Sequence, residues 1–183
     1  QLQFELGDGS DYYTLSIQDI GSSVVLATEE KDRRTQTANH FKDVYEDALT
    51  HDSNFVSQVD TMIQDLQITS EDKGLLIPEY EKIQQDYEDI MDEATDQELN
   101  TTLMENRYLA LSNVLDEYLA DESTTITLTN RDALPKLFQD YYTAKQDVLA
   151  IIVDNTEQAK EASEDLLDEI SDNAVRAEEI ANN

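Results

Sequence analysis

Two long stretches of this sequence put one residue on a common stripe at every third or fourth step, and sustain it over tens of residues. That leaves few folds open other than long helices packed along their lengths. The first stripe runs through Tyr13, Ile17, Ile20, Val24, Ala27, Lys31, Arg34, Ala38, Phe41, Tyr45 and Ala48. The last runs from Leu134 through Phe138, Tyr142, Lys145, Leu149, Ile152, Thr156, Ala159, Ser163, Leu166, Ile170, Asn173 and Ala177 to Ile180. So narrow a stripe gives coiled-coil-like packing at shallow angles. The predicted fold is all-α: an elongated antiparallel up-down helical bundle of four long passes, with room for five or six helices. Helices of forty to fifty residues would each span roughly 60 to 75 Å at the helical rise.

The remaining composition agrees. Among 183 residues there are only four Gly and two Pro, and no window reads as short strands separated by turns. A net charge of −30 with 30% charged residues would by itself suit a disordered chain. A disordered segment has no reason to keep an inward face, and this one keeps it throughout.

Punctuation divides the chain. Residues 1–10, with Gly7-Asp8-Gly9-Ser10, read as an irregular segment, and residues 11–183 as a single helical-bundle domain. Ser10 is the predicted N-cap, and Asp11 falls in the first turn. The first helix is expected to reach Thr50, where His51-Asp52-Ser53-Asn54 interrupts it. A shorter helix carries Phe55, Val59, Met62, Ile63 and Leu66 on one face. From Ile68 to Pro78, Gly74 and Pro78 predict a loop or a kinked helical turn. A third stripe follows through Tyr80, Ile83, Tyr87, Ile90 and Ala94, then Met104, Tyr108, Leu111, Leu115 and Tyr118. The polar patch from Thr95 to Thr102 either interrupts it or does not. Ser123 to Thr129 is poor in helix formers and is expected to cross the end of the bundle. Asn130 or Asp132 then caps the last helix, whose closing residues Ala174 to Ala181 are small enough for a partner helix to approach.

Lys31, Arg34 and Lys145 lie on the inward stripes of a chain with only 12 Lys and Arg against 42 Asp and Glu. Whether counted from the chain ends or from the far tip, Arg34 and Lys145 reach depths within about 6 Å of each other. Arg107 lies beside the third stripe, and Thr35, Tyr108, Tyr141 and Tyr142 offer hydroxyls nearby. Guanidinium and ammonium groups with hydroxyls suit a small carboxylate, because charge-assisted bonds offset part of its desolvation. The candidate ligand-binding set is therefore Lys31, Arg34, Thr35, Arg107, Tyr108, Tyr142 and Lys145. The competing reading is that these cations pass the core edge or pair with Asp and Glu of the next helix.

Other chemistries find no residues. Cysteine is absent, which removes disulfides and thiolate metal sites. The histidines, His40 and His51, lack the carboxylate spacing of di-iron bundles and zinc helices. No phosphate loop, dinucleotide fingerprint or nucleophile elbow occurs. The expectation is a non-enzymatic chain with no cofactor and no metal. Split after residues 50 and 130, the three parts carry net charges of −6, −16 and −8, which repels nucleic acid and anionic lipid. The acids fill the outer positions of every helix, as solvation in high salt would want, and are not gathered on one face as mimicry of DNA would require. The longest apolar run, Val148 to Val153, is too short to span a bilayer, and no signal peptide is visible, so the chain reads as a soluble fragment.

A long opening helix, two inner segments and a long closing helix ending in small residues resemble the extracytoplasmic sensor domains of bacterial methyl-accepting chemotaxis receptors, of the four-helix-bundle and helical-bimodular types. The resemblance covers most of residues 11–183 and rests on architecture and the seams. It implies a periplasmic or extracytoplasmic domain, a homodimer, and attachment to the inner membrane through flanking segments absent from this chain. It also implies capture of an anionic organic acid or amino acid, with a helix displacement passed to the membrane. Lys31, Arg34, Arg107 and Lys145 stand in matching places, although lysine replaces arginine at two of the four, which weakens bidentate recognition. The alternative is an acidic helical interaction or spacer module that binds a basic protein partner.

Overall fold

The computed structural model describes residues 2–6, 11–15 and 17–181, with side-chain environments over residues 21–180. Helices dominate it: α1 (Ile17–Met62), α2 (Ser70–Asp96), α3 (Thr102–Leu119) and α4 (Ala133–Ala181). Four short strands complete the order. β1 (Leu2–Leu6) and β2 (Asp11–Leu15) form an antiparallel pair with Phe4 opposite Tyr13, and β3 (Gln67–Ile68) pairs with β4 (Ile126–Thr127). The fold is an all-α helical bundle, as the periodicity predicts.

Compactness divides the chain into two units, one of Gln1–His40 with Asp154–Asn183 and the other of Phe41–Val153. The second is a four-helix unit. As numbers rise along one helix they fall along its neighbour: Asp47 and His51 of α1 bond Lys82 and Glu79 of α2, and Asp116 and Tyr108 of α3 meet Tyr80 and Tyr87 of α2. Asp60 and Asp52 likewise meet Arg131 and Lys145. By contrast Glu79 and Asp86 meet Tyr142 and Lys145 in rising order, so α2 and α4 run the same way. The topology is up-down-up-down. Its core includes Phe55, Val59 and Ile63 of α1, Leu76, Ile83 and Ile90 of α2, Met104, Leu111 and Leu115 of α3, and Phe138, Leu149 and Ile152 of α4. The first unit is sparser. Ala38, Thr156 and Ser163 are buried there, while Val25, Leu26, Leu166 and Val175 are exposed.

Several boundaries differ from the sequence reading. The first ten residues are not irregular throughout, and the first helix starts at Ile17, because Leu2, Phe4 and Leu6 alternate with Gln3 and Glu5 at the period of a strand. Asp11 therefore begins β2 and does not lie in the first turn of a helix, while the cap predicted at Ser10 lies outside the described residues. His51–Asn54 does not interrupt α1. Ser, Asn and His each cost only about 0.5 kcal/mol in a helix interior. Burying a side chain such as Phe55 or Val59 contributes about 1.5–3 kcal/mol, so the packed face wins.

Nor is there a loop from Ile68 to Pro78. Thr69 and Asp72 close a capping box, Thr69 Oγ1 accepting from the Asp72 amide at 3.3 Å and Asp72 Oδ2 from the Thr69 amide at 2.8 Å, and α2 starts at Ser70. Pro78 lies inside the helix. A proline ring presses on the carbonyl four residues earlier, and here that residue is Gly74, whose backbone gives most easily.

The polar patch after Thr95 does end a helix. Glu98 takes a left-handed φ of 55°, its amide bonds the Thr95 carbonyl at 3.0 Å, and the Leu99 amide bonds the Ala94 carbonyl at 2.8 Å. This is a Schellman closure with glutamate where glycine is usual. One break predicted in α1 is absent and the optional break is present, which leaves four helices among the described residues. Ser123–Thr129 crosses as expected, with β4 against β3 and the Leu128 amide donating to the Leu66 carbonyl at 2.8 Å.

Candidate functional site: a buried ionic network in the four-helix unit

Lys145 is on the inward stripe of α4 and is about 1% exposed, so its ammonium needs partners inside the protein. It has two carboxylates from two other helices. Nζ donates to Asp52 Oδ1 of α1 at 3.0 Å and lies 3.7 Å from Asp86 Oδ2 of α2. The ring of Tyr142 sits beneath it, 4.9 Å from Nζ to the centroid. Gln146 supports the arrangement, its amide donating to Asp52 Oδ2 at 2.9 Å and to the Ala48 carbonyl at 3.1 Å. Asp52 is thus bonded through both oxygens, whereas Asp86 is 20% exposed and the looser partner.

A second knot adjoins the first. Glu79 of α2, also buried, receives the hydroxyl of Tyr142 on Oε1 and meets His51 Nε2 at 2.8 Å through Oε2. At the rim Lys82 donates to Asp47 at 2.8 Å. Burial pushes the Asp52 carboxyl above its usual range, with Lys145 pulling against it, and the same two causes in the same order act on Asp86. The bond from Lys82 holds Asp47 below its usual value. The phenols of Tyr141 and Tyr142 are driven well up, by burial first and then by neighbouring carboxylates: Asp86 and Asp52 for Tyr141, Glu79 for Tyr142. The Tyr141 hydroxyl is buried and has no hydrogen-bond partner among the described residues.

Aromatic rings tie the network to all four helices. Tyr87 of α2 stacks on Tyr108 of α3 at 3.8 Å and 8°, Tyr108 leans on Tyr141 at 6.0 Å, and Phe138 meets Phe55 of α1 edge-on at 5.3 Å. Four carboxylates, Asp47, Asp52, Glu79 and Asp86, share two ammonium groups and one imidazole. The balance is negative. No group of three or more His, Cys, Asp or Glu among the described residues is placed to hold a metal ion.

The sequence-predicted residues fall into two sets. Arg107, Tyr108, Tyr142 and Lys145 belong to the four-helix unit, and Lys31, Arg34 and Thr35 to the other. Lys31 lies 3.3 Å from Asp32, Arg34 Nε donates to Glu30 Oε1 at 2.6 Å, and the Thr35 hydroxyl donates to the Lys31 carbonyl at 2.8 Å. All three therefore use partners on α1 itself, and both cations are partly exposed. Bonds from Arg33 and then Arg34 bring Glu30 down to about 2. Arg107 is half-exposed and 3.3 Å from Asp140. Tyr108 contributes a stacking face, and the Tyr142 hydroxyl is committed to Glu79.

Asp52, Glu79, Asp86 and His51 were missed. The signal for Asp52 is the stripe itself: continued past Ala48 it lands on Asp52 and then Phe55, directly in the heptad rhythm. The supposed interruption concealed it. Lys73 was missed as well. It is fully buried and its Nζ donates to the Asp121 carbonyl at 2.6 Å and lies 3.4 Å from Thr124 Oγ1, which places a cation just beyond the C-terminus of α3. That is a cap, far from a ligand cradle in character. No helix among the described residues is long and apolar enough to cross a membrane. No family model, curated protein or solved structure matches this chain.

Proposed function

We propose that the chain is a non-catalytic sensor domain of a membrane receptor, in which the four-helix unit takes a small anionic ligand and α1 and α4 carry the response. The observation that supports this most is Lys145, a buried cation on the closing helix held by the opening helix through Asp52 and by an inner helix through Asp86. A ligand carboxylate competes with Asp86, the more distant and more exposed of the two. Exchange of partners at Lys145 alters the tie between α2 and α4 while Asp52 keeps α1 and α4 together, which gives the two placements of helices a differential affinity to act on. The inner helices α2 and α3 lie wholly in the four-helix unit, whereas α1 and α4 also supply the helices of the other. This reading carries with it an extracytoplasmic position, attachment through flanking membrane segments, and a homodimer.

A second reading has its own support. Lys145 is already neutralised by its neighbours, and the outer faces carry most of the 42 acidic residues, which suits an interaction or spacer module for a basic protein. Thermal melting against a panel of organic acids and amino acids separates the two. A ligand at one hundred times its dissociation constant adds about 2.7 kcal/mol of stability. The sensor reading expects such a shift with at least one acid and its loss in Lys145→Met. No shift with any of them, together with tight binding of a basic protein, supports the second reading.

A further inference from the structure

Asn100, Thr101 and Thr102 spell the acceptor pattern for N-linked glycosylation, an asparagine followed two residues later by a threonine with no proline between. It occurs once among the ten asparagines of the chain. Its place suits the chemistry. Asn100 and Thr101 close the turn from α2 to α3 and Thr102 opens α3, and Asn100 and Thr102 are both exposed. Asn100 Oδ1 accepts from the Thr102 amide at 3.1 Å, which folds the pair into a compact Asx-turn. That bond occupies the amide oxygen and leaves Nδ2, the atom to be modified, without a hydrogen-bond partner among the described residues. The Thr102 hydroxyl is likewise unengaged among the described residues. Thr101 between them points the other way: it is buried and its hydroxyl donates to Glu105. An exposed leucine, Leu103, follows immediately.

We infer that Asn100 is a glycan acceptor, and this rests on the extracytoplasmic reading above. The donor is a polyprenyl-phosphate-activated oligosaccharide, and the catalyst is a membrane glycosyltransferase of the host. Asn100 Nδ2 attacks the anomeric carbon, and the C–N bond forms as the bond from that carbon to the phosphate oxygen breaks. The electron pair of the broken bond leaves on the lipid phosphate, and one Nδ2 proton passes to a base of the transferase. Thr102 supplies the hydroxyl by which the acceptor is recognised. The attached sugar then covers Leu103, an apolar side chain that the protein itself leaves in water.

The test is mass spectrometry of the peptide containing Asn100, from the full protein expressed in its own organism, alongside digestion by an external protease of spheroplasts, cells stripped of their outer layers with the plasma membrane intact. A saccharide mass on Asn100 is expected, retained in Thr102→Ser and abolished in Thr102→Ala and Asn100→Gln. The two threonine variants leave the Asx-turn amide in place, so loss of the turn does not explain their difference. An unmodified Asn100 on a domain cut from outside the cell overturns this inference and leaves the sensor reading standing. A domain protected from the external protease overturns the extracytoplasmic reading and the glycan with it.

Discussion

A lysine with no access to water must be charged beside a counter-ion or not charged at all, and Lys145 has Asp52 at 3.0 Å to decide the matter. Removing one partner of such a pair costs more than the pair contributes, because the survivor stays buried and unpaired. Asp52→Ala is therefore expected to lose about 3–5 kcal/mol in urea unfolding. A loss below about 1 kcal/mol would place the pair in the surface class. The protons give a second test. Burial raises the folded-state values of Asp52 and Asp86 above the 3.8 of a free aspartate, so the folded protein binds more protons than the unfolded chain in the window just above 3.8. Stability contributed by these two groups rises as pH falls through that window and declines toward neutrality. Asp47, held low by Lys82, acts the opposite way and loses its contribution below 3.8. Unfolding followed against pH is expected to show a shallower slope in Asp52→Asn than in the parent, and an unchanged slope would remove Asp52 from the account. Sequence reading found Lys145 by its place on the stripe. It could not find which acid faces it, since 42 candidates are spread over every helix and only the packing of α1 and α2 on α4 selects two of them.

Helix boundaries depend on local chemistry that packing can overrule, and the two inner junctions show both outcomes. At His51–Asn54 weak helix formers yield to the buried face that includes Ala48, Asp52 and Phe55. At Glu98 the chain stops because the Schellman bonds are made, even with a residue that dislikes the left-handed region. Glu98→Gly is expected to stabilise the four-helix unit by about 0.5–1 kcal/mol, read as a rise in the urea midpoint at constant slope. A fall would show that the glutamate side chain holds something the turn needs. Gly74 and Pro78 explain why α2 was the least legible helix. Each argues against a helix in isolation, but four residues apart the glycine relieves the carbonyl on which the proline presses. The first strand is legible in the two-residue alternation of Leu2, Phe4 and Leu6, whereas Asp11–Leu15 does not alternate and its Tyr13 also fits the helical stripe that follows.

For the molecule as a whole, the fold class followed from periodicity, which depends on side-chain spacing alone. The net charge of −30 acts against compactness, because like charges on neighbouring helices repel. Raising salt from 0.1 M to 1 M shortens the screening length from about 10 Å to about 3 Å, so the melting temperature is expected to rise with sodium chloride. A melting temperature that falls over this range would mean that the exposed ion pairs, such as Arg131 with Asp60, outweigh the repulsion. Function was less legible than fold, because a cation on an inward stripe signals either a counter-ion or a ligand and the spacing is the same for both. The structure gives Lys145 counter-ions on α1 and α2, and the sensor proposal then requires that one of them be exchangeable. The most direct measurement is the Nζ resonance of Lys145 in nitrogen-15-labelled protein, identified by its absence in Lys145→Met and followed during titration with the acid that raises the melting temperature. Exchange at Lys145 moves this resonance in proportion to occupancy as the ligand takes the place of Asp86; a bound ligand that stabilises the protein while the resonance stays where it was rules the exchange out.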